Sequence, residues 1–361
     1  MPMPSLRSAT LFIDVEVWDP IHVATKAFEL LERLRRGFRE AGVEPWTWRV
    51  VLPPLPQGVS SGGVRQLAEV MTRTLGSSTL LHLYSLEWGH EQAWTVVDTL
   101  AQHGNVYASI RCPSTRCVPD VVKNLYGRRL DPEVFTRVSL TLGPWIQTPY
   151  FPSTTNVDNV TGFAVSFRYV DLFEQLFQLK RGDVITDYLG RVGKALRTVE
   201  RVSGIPLLGA DYSLSPWMSE SVGFLIESLM EDTLPAPGMF AAVAGINRVI
   251  REVASSSEIK PMGFNEVMLP VAEDDVLKER SGTGALRVHH LVALSAVCVA
   301  GLDMVVVKRD PEVIAKLISD MLAMQQLKMR SLGVRIVPID RAKPGDWVEL
   351  GKFGKVPVSY F

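Results

Sequence analysis

Short apolar runs alternate with longer amphipathic segments along nearly the whole chain, and this alternation restricts the fold more than any other feature. Runs at 8–17, 46–52, 79–85 and 106–110 have strand length. The segments between them, 21–41, 64–75 and 91–103, carry apolar residues at helical spacing, as in Phe28, Leu31 and Leu34. The pattern resumes after 162, with strands at 163–167, 205–212, 264–269 and 302–307 and helices at 182–202, 220–230, 239–253, 288–299 and 311–330. Two closing strands are read at 334–338 and 356–360. Strand–helix–strand order implies largely parallel pairing, because parallel neighbours need a crossover. Met304-Val305-Val306-Val307 is apolar at successive positions, as expected of a strand covered on both faces.

The boundaries carry their own signals. Gly42 and Gly204 sit where a left-handed residue ends a helix. Pro311 suits a first helical position. Residues 111–162 are less regular and contain Pro113, Pro119, Pro132, Pro144, Pro149 and Pro152. They are read as loops and short helices within one α/β domain spanning 1–361. Lys and Arg total 38 against 39 Asp and Glu, so the overall charge offers no steering toward nucleic acid or an anionic membrane. The first residues lack the apolar core of a signal peptide, and no apolar stretch approaches the length of a membrane span. A cytoplasmic protein is expected, homo-oligomeric by the general habit of such proteins. Three cysteines, Cys112, Cys117 and Cys298, do not form a disulfide framework. Scarce amides and plentiful proline lean toward a thermophilic source.

Three stretches, in order, resemble a known family. They are Leu208-Gly209-Ala210-Asp211-Tyr212-Ser213-Leu214-Ser215-Pro216; Met268-Leu269-Pro270-Val271-Ala272-Glu273-Asp274, followed by 295–303; and Arg335-Ile336-Val337-Pro338 with Pro344-Gly345-Asp346. Thr10-Leu11-Phe12-Ile13-Asp14 and Thr148-Pro149-Tyr150-Phe151-Pro152 add to the likeness. The chain resembles the uncharacterised domain of unknown function 711 family, also called pyruvate formate-lyase-like. The resemblance implies a barrel-like sheet of about ten strands, surrounded by helices and similar to glycyl-radical-enzyme barrels; it implies no established reaction. Arg201-Val202-Ser203-Gly204 looks like the start of a glycyl-radical loop, but it lies mid-chain at a helix end. Gly204 is therefore read as a cap, and radical chemistry is not expected.

Candidate site groups lie at strand ends, each beside a plain structural alternative. Asp211, Ser213 and Ser215 alternate after an apolar strand. Asp211 is the candidate base or ligand, or else an acceptor for backbone donors. Ser213 would position substrate, whereas Ser215 is read as a helix cap. Glu273 and Asp274 would serve as catalytic carboxylates or ligands of a divalent cation, or would complement a helix dipole. Asp303, near the start of a buried strand, needs a partner and is read as structural or as part of the site. Thr148 and Tyr150, in a hydroxyl-rich loop, would bind substrate, or would only shape the turn. His82 would face a pocket or be a satisfied interior histidine. No zinc-hydrolase, phosphate-loop or dinucleotide motif is present, so metal and cofactor stay undefined. The expected function is an enzyme for a small polar metabolite using acid–base or cation-assisted chemistry. The alternative is a non-catalytic binding or assembly protein on the same frame.

Overall fold

A computed structural model describes residues 5–361. Its strands are β1 (Leu6–Phe12), β2 (Pro45–Val51), β3 (Thr79–Glu87), β4 (Val106–Arg111), β5 (Val138–Leu142), β6 (Gly162–Phe167), β7 (Leu207–Asp211), β8 (Met268–Pro270), β9 (Ala300–Asp303), β10 (Val305–Lys308), β11 (Leu332–Val334), β12 (Ile336–Ile339), β13 (Trp347–Glu349) and β14 (Lys355–Pro357). Eight of them form one mostly parallel sheet in the order β11-β5-β4-β3-β2-β1-β6-β7. The α/β class is as expected. Of the expected barrel-like sheet of about ten strands, the described residues show this open sheet of eight, and β8 pairs with β9, β10 with β12, and β13 with β14 separately.

One reason is local. The strand read at 264–269 shrinks to β8. Gly263 and Asn265 before it adopt left-handed backbone, φ 80° and 54°. The amides of Phe264 and Asn265 donate to the Asp211 carboxylate instead of to a neighbouring strand. The strand read at 302–307 likewise breaks at Met304, φ 54°, into β9 and β10. That break lets Arg335 bond both halves: its N–H donates to Leu302 O and its carbonyl accepts from Val305 N, each at 3.2 Å.

The chain divides into two compact units. The first comprises the segments ending at Ser109, Trp145–Ser213 and Arg251–Asn265. Its helix Pro20–Ala41 is capped by Asp19 and ended by Gly42 at φ 66°. The helix buries Ala27, Leu31, Leu34 and Phe38 against the sheet and the helix Asp183–Ser203. Phe38 meets Trp48 and Phe163 edge-on at 5.3 and 5.9 Å. Gly204 ends the second helix at φ 65°, its N–H bonded to Glu200 O at 2.9 Å, so the cap reading of that glycine holds.

The second unit comprises Ile110–Pro144, Leu214–Ile250 and Glu266–Phe361. Its Pro-rich part contains β5 and the short helices Val118–Val121 and Pro132–Thr136. Cys112 and Cys117 lie at disulfide-bonding distance there, and Cys298 is a free buried thiol. Ser215 caps no helix. The helix begins at Val222, and Ser221 is its cap, accepting from Phe224 N at 2.9 Å. No helix among the described residues is long and apolar enough to cross a membrane.

Candidate functional site

In the first unit the register sorts the strand residues into two faces. Trp48 and Phe163 meet the Pro20–Ala41 helix, and their strand partners are Ala9 and Leu11. Alternate residues point the other way. There Ser8 pairs with Thr47 and with Ser166, Thr10 with Arg49, and Ser166 with Asp211. This second face therefore carries hydroxyls, a guanidinium and a carboxylate, where the helix-covered face carries apolar side chains.

The loop 148–156 lies on the polar face. Arg49 Nη1 and Thr10 Oγ1 donate to Pro149 O at 2.8 and 3.4 Å. The Arg49 guanidinium sits 5.1 Å from the Phe151 ring centre. His82 and Tyr107 meet the same ring edge-on at 5.5 and 5.3 Å. Ser8 and Ser166 share a hydrogen bond of 2.7 Å. All these polar residues except Thr47 are buried.

Four of the expected site residues converge here. Asp211 Oδ2 accepts from Thr148 Oγ1 at 2.6 Å and from Phe264 N at 2.8 Å. Asp211 Oδ1 accepts from Ser213 Oγ at 2.6 Å, Ser213 N at 2.9 Å and Asn265 N at 3.0 Å. The Tyr150 hydroxyl donates to Ser213 O at 3.0 Å, and Tyr150 N donates to Thr148 Oγ1 at 3.2 Å. Gly263 is required beside them, because a Cβ would stand 2.2 Å from Asp211 Oδ2. A carboxylate offers about four lone-pair sites, and five donors occupy this one. Asp211 thus holds Thr148, Ser213 and the 263–265 turn in place. Burial pushes the Tyr150 hydroxyl well above its ordinary range. The Arg7 and Arg49 charges oppose that shift and Asp211 supports it, so the phenol stays protonated.

The second unit holds the other three acids, in two arrangements. Arg335 donates through Nη2 to Asp303 Oδ2 at 2.7 Å and to Glu273 Oε1 at 3.3 Å, and through Nε to Asp303 Oδ1. All three are buried. Burial raises the Asp303 carboxyl above the usual carboxylate range despite the attraction of Arg335. Asp274 points into different company. It caps the helix Asp275–Gly282 through Val276 N and Leu277 N and also accepts from Ser221 Oγ at 2.6 Å and Gly223 N at 3.0 Å. Glu273 and Asp274 therefore face different partners, and among the described residues no group of three His, Cys, Asp or Glu is placed to hold a metal ion. Removing Asp274 (Asp274→Ala) leaves a helix uncapped and buried donors unpaired. It should lower stability by about 2–4 kcal/mol, read from the urea midpoint.

Sequence reasoning passed over Ser8, Thr10, Arg49 and Ser166. Their signal was present as alternation of polar with apolar residues inside strands, Ser8-Ala9-Thr10 and Thr47-Trp48-Arg49. His82 is interior but not satisfied: neither ring nitrogen has a hydrogen-bond partner among the described residues. Burial lowers its pKa to about 3, so the ring is neutral at physiological pH.

Residues 180–351 match the family described as Uncharacterised ACR (DUF711). Over those residues the chain belongs to the DUF711 family. A UPF0210 protein of Oleidesulfovibrio alaskensis is 28% identical over 286 residues, which cover 70% of this DUF711 chain and 62% of that protein. UPF0210 proteins of Pyrobaculum arsenaticum and Sulfurisphaera tokodaii are 32% and 35% identical over 174 residues, covering 46% of this chain and 39% of each relative. The DUF711 chain thus spans less than two thirds of the length of these relatives. Some of the relatives come from thermophiles. The matched region contains Asp211, Ser213, Glu273, Asp274, Asp303 and Arg335, whereas Thr148 and Tyr150 precede it.

Proposed function

We propose that this DUF711 chain acts on a small polar metabolite held against the hydroxyl- and arginine-bearing face of its first unit. The carrying observation is the chemistry of that face: Ser8, Thr10, Arg49, Ser166 and Asp211 occupy buried positions where a structural sheet would pack Val and Ile. Polar groups lose hydration on burial, so a face built of them suits a polar occupant. Arg7 and Arg49, both acting on the Tyr150 hydroxyl, favour an anionic one. In this reading Arg49 and Tyr150 touch the ligand. Asp211 is a positioning residue, which moves the acid–base role away from it. A panel of small carboxylates and phosphates, read by thermal shift, tests the proposal. A ligand at a hundred times its Kd stabilises the native state by about 2.7 kcal/mol, and Arg49→Met should abolish the shift. No shift with any of them would sink the reading.

A second reading, a binding protein without turnover, is favoured by the saturation of Asp211 and Asp274 and the pairing of Asp303 with Arg335. Following the bound ligand by NMR separates the two, since only an enzyme converts it. The barrel-like form of about ten strands and a homodimer belong to the same proposal; sedimentation reads the assembly.

A further inference from the structure

The helix Val170–Leu179 of the first unit has more apolar surface than its own chain covers. Val170, Leu172, Phe173, Leu176, Phe177 and Leu179 are apolar, yet only Val170 and Phe173 are buried. Phe173 marks the inward side, meeting Tyr169 edge-on at 5.2 Å and the Phe177 ring at 6.4 Å. Tyr169, at the N-cap, offers no side-chain cap. A ten-residue helix without one is marginal in water and depends on the packing of its apolar side chains.

Leu172, Leu176 and Leu179 form a second apolar stripe, at the i, i+4, i+7 spacing of one helix face. Leu172 and Leu176 are half-buried, and Leu179 is 62% exposed. Leucines in this spacing make the seam of paired helices. Arg168, just before the helix, lies 5.3 Å from the ring centre of Trp46, so a second exposed apolar side chain stands at the helix start. Charge along the helix indicates the partner. Asp171 and Glu174 lie in its first half, and the exposed Lys180 and Arg181 follow its last turn. Arg181 pairs with Asp183 at 3.1 Å, an exposed contact that holds it weakly. These charges also complement the helix's own dipole. The leucine stripe has no such account within the chain.

We infer that this leucine face is a two-fold interface between copies of the chain, with the two helices antiparallel. With the axis beside Leu176, that residue meets the partner's Leu176, and Leu172 lies beside the partner's Leu179. The acidic end of each helix then lies beside the basic end of the other. The surface is thus complementary to itself, as a closed dimer requires. A parallel pair would set like charges together. The inference deepens the homodimer proposed above by naming its surface, and it rests on that reading alone, not on the ligand.

The test is sedimentation equilibrium of the full chain across micromolar concentrations. A dimer is expected. Leu179→Ser, at an exposed position that folding does not need, should weaken it on the order of tenfold or more. The double variant Lys180→Glu, Arg181→Glu puts acid against acid and should weaken it similarly, with the larger effect at low salt. Leu176→Cys places two thiols at the axis and should give a covalent dimer with oxidised glutathione. The inference alone is overturned if the parent chain is a dimer that Leu179→Ser or the charge reversal leaves unchanged, or if Leu176→Cys stays uncrosslinked. A monomeric parent chain overturns it together with the homodimer and leaves the ligand reading standing.

Discussion

Arg335→Met is expected to destabilise the second unit by about 3–5 kcal/mol, the usual cost of removing one partner from a buried ion pair. The side chain serves two buried carboxylates at once, Asp303 through two hydrogen bonds and Glu273 through one. Its loss leaves both in a low-dielectric interior, with Glu273 already pushing the Asp303 carboxyl upward. Asp303 should then take up a proton, limiting the damage without repairing it. The defect is read as a drop in urea midpoint. It should be partly reversed in the triple variant Arg335→Met, Glu273→Gln, Asp303→Asn, which carries no unpaired charge. Equal stability of Arg335→Met and the parent chain would show that the cluster contributes nothing.

His82 predicts a loss of stability in mild acid. Its ring is buried and neutral, with a pKa near 3 against an ordinary 6.5. Between those values the unfolded chain binds a proton that the folded one does not, so stability falls as the pH falls. The contribution is complete above pH 6.5 and is lost progressively toward pH 3, at about 1.4 kcal/mol per pH unit. Going from pH 7 to pH 5 should therefore cost about 2 kcal/mol through this group alone. His82→Phe keeps a ring against Phe151 and should flatten that part of the profile. Urea unfolding of both proteins at the two pH values is the measurement, and parallel profiles would exclude His82 as the cause.

The fold was legible where local chemistry decides it. Gly42, Gly204 and Pro311 mark helix boundaries through backbone preferences that need no partner. It was illegible where a distant side chain intervenes. The strand at 264–269 has the right composition, yet Asp211, 53 residues earlier, takes the amides that would have extended it. Ser215 resembles a cap in sequence, but the amide of Phe224 is met by Ser221. The site divides along the same line. Thr148, Tyr150, Asp211 and Ser213 are polar groups at strand and loop ends, and they come together. Which of them remains available for a ligand is settled by the number of donors around Asp211, and spacing along the chain does not encode that number. Arg335 stood in a motif, but nothing local announces that it bridges acids 32 and 62 residues before it.

Each compact unit draws on three separated stretches of chain, and the stretches interleave. No single cut releases either unit as a continuous fragment. During synthesis the first unit must wait for residues 251–265 before its last segment exists, by which point two of the second unit's three segments have been made. Long loops must close before these contacts form, which makes folding slow and leaves apolar edges uncovered in the meantime. The two halves of this protein are therefore bound to mature together, and a truncation or insertion designed for one will be felt in the other.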